Sequence, residues 1–281
     1  VLGKITFNAP SESSGSDALL DGATIEAISE ATFSSSVNST ALVFKTNTSA
    51  AATERFRIAS DGSLSTTTAG TSNVRFGVNA GNSIASGGNY NTVIGDEAGT
   101  AITTGDNNTL IGTFSGDAII ASSGNTAVGS YSMTSMTHGA DNVAIGTSAL
   151  DVDTKGNYSV AVGRNALGAQ NFTTSTDTYN VAVGYAAGTA VTEGQQNTLI
   201  GGLAGDALTH ADKNTAVGMQ ALTTDTLGHR STAIGQNALK VQNFTTSTDS
   251  YNVAVGFEAG SAVTTGTENT LIGAEAGDAL T

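Results

Sequence analysis

The sequence predicts an all-β protein, built mainly as a parallel β-solenoid (or β-roll) of about twelve 17-residue coils. Three observations predict it: a five-residue motif that recurs at fixed spacing, a glycine that closes every copy, and a composition poorly suited to a large globular core. The 281 residues include 35 Gly, whereas 12% are charged and 5% are aromatic. Such a chain has room for many small coils and few bulky side chains.

The motif reads Asn, then Thr or Val, then usually Ala or Leu, then Val or Ile, then Gly. Copies close at 17-residue intervals, apart from one 18-residue and two 21-residue intervals. The copies that keep both Asn and Gly are Asn91–Gly95, Asn108–Gly112, Asn125–Gly129, Asn142–Gly146, Asn180–Gly184, Asn197–Gly201, Asn214–Gly218, Asn252–Gly256 and Asn269–Gly273. Ser replaces Asn in 159–163 and 231–235, and 73–77 is a degenerate first copy.

A 17-residue unit has the contour length of one flattened coil. At about 3.3 Å per extended residue it traces roughly 56 Å, enough for two short flat sides separated by about 10 Å. We therefore expect two strands per coil: the motif itself, and a short apolar segment that starts three residues after the glycine. Each strand would pair in parallel with its copy in the next coil.

Alternation within a strand assigns its side chains to two faces. In Asn142–Gly146 we expect Val143 and Ile145 to fill the coil and Ala144 to face outward. The outward column of Ala and Leu would then be an apolar stripe, and a monomer rarely exposes such a stripe along its whole length. We therefore expect parallel copies of the chain to meet there, as a homotrimer.

Residues 1–66 lie outside the repeat and are expected to form a β-rich shaft or collar module, followed by the repeat domain over 67–281. Strands are predicted at 5–7, 41–46 and 54–59, with a turn at Asp61–Gly62. Residues 19–29 fit a short helix or a strand.

Composition excludes several functions. Cys is absent, which removes disulfide scaffolds and cysteine zinc sites. A net charge of −14 argues against nucleic-acid partners, and no apolar run approaches the ~18 residues that would predict membrane insertion.

Neither catalytic nor ligand-binding chemistry is indicated by the polar residues. The three His (His138, His210, His229) fall in polar return segments, and the Gly-Asp-Ala aspartates (Asp117, Asp206, Asp278) have no carboxylate at the equivalent place one coil earlier. The repeated Asn and Gly are interpreted as structural: the Asn amides stack or bond the backbone, and the glycines make turns. We expect no enzyme activity, no cofactor and no metal site.

The two 21-residue intervals contain insertions with aromatics among Thr and Ser, within the nearly identical segments 170–184 and 242–256. Amphipathic aromatics beside hydroxyls suit contact with a glycan or protein receptor. The candidate contact residues are Phe172, Tyr179, Phe244 and Tyr251. Alternatively, these aromatics pack back and plug the side of the roll.

The repeat, as in Asn142-Val-Ala-Ile-Gly146, resembles the head repeat of YadA-type trimeric autotransporter adhesins over roughly residues 73–281. That resemblance implies a left-handed parallel β-roll that trimerises, although the adhesin unit is shorter than the 17-residue unit of this chain and no neck or membrane anchor is visible. The segments 41–46, 52–58 and 60–64 are similar to the shaft of bacteriophage tail fibres.

Together these resemblances imply a structural phage tail-fibre protein, located in the virion tail and extracellular, that acts in host attachment as a trimeric spacer or adhesive rod. Its partners would be itself, other virion tail proteins and a host-surface glycan or protein receptor. The alternatives are the head of a trimeric adhesin on a bacterial surface and a polysaccharide-degrading tailspike.

Overall fold

A computed structural model describes residues 1–8, 21–47, 51–67 and 69–280. The chain divides into two compact units, residues 1–74 and 75–281. The described residues contain strands and turns and no helix. They confirm the predicted fold class: a parallel β-solenoid of about twelve coils at 17-residue spacing, with an antiparallel sheet at the N-terminal end of the sequence.

The first unit is a five-stranded antiparallel meander. Its strands, in spatial as well as chain order, are β1 (Gly3–Asn8), β2 (Asp21–Ser29), β3 (Thr40–Thr46), β4 (Thr53–Ile58) and β5 (Leu64–Thr66). Residues 21–29 therefore resolve the open choice in favour of a strand, while residues 19 and 20 lie outside the described part. Arg57 on β4 is paired with Glu54 and Glu30 at 2.8 and 2.9 Å.

The second unit stacks one three-residue strand from each coil into a 12-stranded parallel sheet. The strands are β6 (Val74–Phe76), β7 (Thr92–Ile94), β8 (Thr109–Ile111), β9 (Thr126–Val128), β10 (Val143–Ile145), β12 (Val160–Val162), β14 (Val181–Val183), β15 (Thr198–Ile200), β16 (Thr215–Val217), β18 (Thr232–Ile234), β20 (Val253–Val255) and β21 (Thr270–Ile272). Equivalent residues of successive coils stand side by side, as Ala127, Ala144 and Ala161 do.

The predicted assignment of strand faces is wrong. Ala144 is fully buried, whereas Val143 is half-buried and Ile145 is 40% exposed. The middle residue of the strand therefore fills the coil, and its two β-branched neighbours face outward. The interior of this coil has room for only a small middle residue because a second apolar side chain, Leu150, enters from the opposite side and is also fully buried.

The predicted second strand of each coil is also absent from the described repeat. That side is a series of turns, because residues two and four positions after the closing glycine take positive φ, as at Asn165 (57°) and Leu167 (49°). A left-handed residue at every second position cannot continue a pleated strand. Coils still bond to each other there, for example from the Leu167 N–H to the Ala187 carbonyl oxygen at 3.1 Å.

Core volume is conserved between the two sides of a coil. Where the strand carries Leu110, the residue six positions later is Gly116, and a Cβ there would lie 2.8 Å from a Leu110 methyl group. In the next coil the strand carries Ala127 and the partner position carries Met133, both fully buried. One large and one small residue therefore share the interior of most coils, as close packing requires. The exceptions are the two coils that pair Ala182 with Gly188 and Ala254 with Gly260, where leucine side chains of the neighbouring coils lie against the glycine.

This complementarity predicts a rescue. Leu110→Ala should lower the free energy of unfolding by about 2–5 kcal/mol, because it opens a cavity. Adding Gly116→Met recreates the pair found at Ala127 and Met133, and should recover most of that loss. Urea unfolding of both variants followed by circular dichroism checks it, with Gly116→Met alone as the control for overpacking. Additive losses in the double variant would contradict the shared-interior argument.

The closing glycines touch one another from coil to coil. Gly146 has φ of 133°, and a Cβ built on it would lie 2.7 Å from the carbonyl carbon and oxygen of Gly163. The same contact recurs along the column of Gly77, Gly95, Gly112, Gly129, Gly146, Gly163, Gly184, Gly201, Gly218, Gly235 and Gly256. Only glycine combines that φ with so close a backbone approach.

The repeated Asn side chains form a buried ladder. Asn108 donates from its backbone N–H and from Nδ2 to Asn91 Oδ1, both at 3.0 Å, and from Nδ2 to the Ser122 carbonyl oxygen at 3.0 Å. Equivalent bonds recur at Asn125, Asn142, Asn197, Asn214 and Asn269. The amide thus joins each coil to its neighbour and to its own return segment, and it is a structural element.

Candidate functional site

The two insertions create the largest departures from the regular coil. Each lengthens its return segment enough to form a small parallel ladder: β11 (Gly156–Asn157) with β13 (Thr176–Asp177), and β17 (Gly228–His229) with β19 (Thr248–Asp249). The strands β13 and β19 belong to the insertions themselves. Because they are paired, the inserted residues have a defined backbone on the side of the solenoid.

The four candidate contact aromatics divide into two kinds. Phe172 and Phe244 are each only 5% exposed, so they pack back against the roll and are removed from the set of receptor contacts. Tyr179 and Tyr251 are 53% and 50% exposed. The phenylalanines therefore pack inward and the tyrosines are exposed, and receptor contact by the tyrosines stays a prediction.

A buried polar cluster, which the sequence analysis missed, holds each insertion in place. Asp153 is fully buried, and its Oδ1 accepts from the backbone N–H groups of Gly156 and Phe172, both at 3.0 Å. Its Oδ2 accepts from Gln170 Nε2 at 2.6 Å. The carboxylate therefore fixes the start of the insertion and replaces water around the buried backbone groups.

The same cluster repairs the amide ladder where Ser159 replaces Asn. Gln170 Nε2 donates to Ser159 Oγ at 2.8 Å, and Gln170 Oε1 accepts from Asn180 Nδ2 at 2.9 Å. The second insertion repeats every one of these bonds with Asp225, Gln242, Ser231 and Asn252. The hydrogen bonds lost when Ser159 replaces Asn are thus supplied by the Gln170 side chain, which lies just before the insertion.

The signal for this cluster lies in the repeat itself. Seven residues after the closing glycine the regular coils bury an apolar side chain, such as Ile119 or Leu208. Asp153 and Gln170 occupy that column in the coils around the first insertion, and Asp225 and Gln242 do so in the second. Two polar residues in adjacent coils of an apolar column predict a buried hydrogen bond.

The exposed tyrosines have different neighbours in the two insertions. Tyr179 stacks on Tyr158, with ring centroids 5.4 Å apart and planes at 6°. Tyr251 instead lies under the guanidinium of Arg230, whose Cζ is 5.7 Å from the ring centroid. Tyr158 and Arg230 occupy equivalent positions ahead of the two insertions, so one insertion presents an aromatic pair and the other a cation on an aromatic ring.

The second insertion also lines a cleft of about 320 Å3. Its lining residues, which come from three successive return segments, are Asp212, Lys213, His229, Arg230, Ser247 and Asp249. Arg230 Nε donates to Asp249 Oδ1 at 3.0 Å. His229 Nδ1 accepts the Asp212 N–H at 2.9 Å, so the ring proton lies on Nε2, which donates to Ser247 Oγ at 2.8 Å.

The remaining polar candidates are dispersed. His210 is 3.8 Å from Glu193 on an exposed surface, and His138 lies in a return segment. Burial raises the pKa of the Asp117 carboxyl, whose Oδ1 has no hydrogen-bond partner among the described residues. Across the described ranges, no group of three or more His, Asp and Glu side chains is placed to hold a metal ion.

The fold and these sites define a repetitive β-solenoid with a buried amide ladder and two lateral insertions. Comparison of the chain with known protein families, curated proteins and solved structures gives no significant match. In the part of the chain that the structure describes, no helix has the length and apolarity needed to span a bilayer.

Proposed function

We propose that this chain is a structural segment of a phage tail fibre that serves in host attachment as a trimeric spacer or adhesive rod. The observation that carries the proposal is a continuous ribbon of outward-facing β-branched residues along the 12-stranded sheet. The ribbon consists of the first and third residues of strands β7 to β21, and these are Thr, Val or Ile throughout. The column of Ala and Leu that was expected to mediate self-association is buried, and this ribbon is the exposed surface suited to that role.

The ribbon is partly exposed along the whole sheet. Ile145, Ile200 and Ile234 are 40%, 38% and 38% exposed, and the remaining positions from β7 to β20 are half-buried. It contains no charged residue in a chain with a net charge of −14. An uncharged sheet face that runs the length of an acidic rod is the kind of surface that a partner covers.

A second copy of the same chain fits this ribbon best. Strands repeat at about 4.8 Å in every copy, so two ribbons placed in parallel match residue for residue over all coils. A heterologous partner without that period would match at only a few positions. Three ribbons around a common axis close the assembly and leave no apolar face uncovered.

We expect the full chain to form a trimer, and charge on the ribbon to break it. Ile145→Lys with Ile200→Lys should give a monomer that keeps its fold, because both side chains point away from the coil interior and desolvating two lysines per copy opposes assembly. Native mass spectrometry should show three copies of the 27.9 kDa chain for the wild type and one for the variant.

Gln236→Lys is the matched control. Gln236 is exposed just after a closing glycine, where the equivalent coil position 164 carries Arg, so the solenoid accepts a cation there. This variant should remain trimeric. A wild-type monomer at micromolar concentration, or an unaffected trimer in the double lysine variant, would overturn the proposed assembly.

Location separates the fibre from the adhesin. Antibodies raised against the full chain should label fibres on virus particles in immunogold electron microscopy of the source culture. Label on bacterial envelopes without label on particles would instead support the head of a trimeric surface adhesin.

A further inference from the structure

We propose that the cleft beside the second insertion binds a carboxylate-bearing sugar of the uronic or sialic acid type, and that the first insertion does not. The inference rests on the proposed attachment function, because it names the class of ligand that the rod would contact. It assigns the binding role to the residues around Arg230 rather than to the two insertion sequences, which are nearly identical.

Arg230 is held in position before any ligand arrives. Its Nε donates to Asp249 Oδ1, its guanidinium lies over the Tyr251 ring, and Tyr251 Oη in turn donates to Asp249 Oδ2 at 3.3 Å. Within the described part of the chain, Nη1 and Nη2 have no hydrogen-bond partner. The outer edge of the guanidinium is therefore available for bidentate contact with a carboxylate, at little additional cost in side-chain entropy.

The rest of the cleft suits hydroxyl groups rather than further negative charge. Asp212 and Asp249 line it, and their side chains are 40% and 47% exposed. Carboxylates accept hydrogen bonds from sugar hydroxyls but repel a dianion, so a phosphate monoester or a sulfated chain fits less well than a singly charged sugar. Ser247 is exposed and Lys213 adds a second cation, which completes a mixed set of donors and acceptors.

Size and overall charge agree with this class of ligand. A cleft of about 320 Å3 is at the small end of ligand-binding sites and accommodates a single sugar ring. The Tyr251 ring supports the Arg230 guanidinium from one side and so helps to hold it at the cleft. Residues 75–281 contain only six Lys and Arg in total, and two of them line this one cleft.

The first insertion provides an internal comparison. At the positions equivalent to Lys213, His229 and Arg230 it carries Asp141, Asn157 and Tyr158. Asn157 reproduces the local hydrogen bonds of His229: its Oδ1 accepts the Ala140 N–H at 2.9 Å and its Nδ2 donates to Ser175 Oγ at 3.2 Å. The local hydrogen bonds are thus shared, whereas a cation at these three positions is found only in the second copy.

The test uses the full chain, with galacturonic acid, a single ring with one carboxylate, as the probe and its methyl ester as the uncharged match, measured by isothermal titration calorimetry. The acid should bind, and the ester should bind at least about tenfold more weakly, because esterification removes the carboxylate that pairs with Arg230. Inorganic phosphate at equal ionic strength should not compete.

Two variants exchange residues between equivalent positions of the first and second insertions. Arg230→Tyr installs the residue found at the equivalent position 158, so the fold should be retained while the affinity for the acid falls at least about tenfold. The triple variant Asp141→Lys, Asn157→His and Tyr158→Arg should add a second site and double the binding stoichiometry per chain.

Equal binding of acid and ester, or unchanged binding in Arg230→Tyr, would overturn the inference, as would phosphate binding in preference to the sugar. These outcomes are independent of the assembly and location experiments. A trimeric virion fibre that does not bind the acid sugar would refute only the proposed ligand of the cleft. A monomeric cell-surface protein that binds the acid would refute only the proposed fibre function.

Discussion

Gly146→Ala is expected to destabilise the solenoid by more than about 3 kcal/mol, the largest effect we predict for a single added methyl group. Two costs combine at this position: a φ of 133°, which is accessible essentially only to glycine, and a Cβ 2.7 Å from the carbonyl group of Gly163. Neither contact atom can move aside, because both belong to the backbone of the next coil. The measurement is the urea midpoint of the full chain, followed by circular dichroism.

Gly202→Ala is the control within the same column of coils. It follows the closing glycine Gly201, no heavy atom lies within 4 Å of a Cβ built on it, and its φ is outside the left-handed region. This substitution should change stability by no more than about 0.5 kcal/mol, or stabilise slightly by restricting the unfolded chain. Equal midpoints for the two alanine variants would show that the glycine contacts do not limit the stacking of coils.

Asp153→Ala is expected to cost about 3–5 kcal/mol, because it removes the acceptor from a buried, fully bonded polar cluster. The Gly156 and Phe172 N–H groups and Gln170 Nε2 would all lose a partner in an interior that water does not reach. The loss should be local first. Amide hydrogen exchange should rise over residues 171–178 while distant coils stay protected, since each coil contacts only its neighbours.

Asp96→Ala removes the same charge from an exposed position and should change stability by no more than about 0.5 kcal/mol. Asp153→Asn keeps the size and one acceptor oxygen but places an amide donor opposite Gln170 Nε2. Its loss of stability should therefore be smaller than that of Asp153→Ala and larger than that of Asp96→Ala. Uniform exchange along the solenoid in Asp153→Ala would argue against a role specific to the insertion.

The period, the motif strands and the strands of the first unit could be predicted from sequence because they depend on local residue types, whereas the second strand predicted for each coil is replaced by turns. The 17-residue interval defined one coil, and the alternation at 41–46 and 54–59 marked strands that the structure places at 40–46 and 53–58. The face assignment failed because Ala144 and its neighbours Val143 and Ile145 are all apolar, so alternation alone does not say which face is buried. The signal that identifies the buried face is a compensation in side-chain size between the two sides of a coil. A large Leu110 is paired with Gly116, whereas a small Ala127 is paired with Met133.

Only part of the candidate site could be predicted from the sequence in the same way. The insertions were visible as longer intervals, and Tyr179 and Tyr251 were identified with them. The inward packing of Phe172 could not be chosen over exposure, because it depends on a buried carboxylate 19 residues earlier. The cleft at Arg230 was not predicted, because it is assembled from three return segments and differs from its counterpart at Tyr158 in side chains rather than in motif.

The direction of the hydrogen bonds between coils has a mechanical consequence. Strands of the 12-stranded sheet lie across the stacking direction, so the ladder bonds and the Asn amides between coils lie along it. A pull along that direction loads these bonds end-on and in series, and coils would therefore detach one at a time rather than shear together. The coils tied by Asp153 and Asp225, with a carboxylate and a glutamine added to the ladder, would be the points where such peeling pauses.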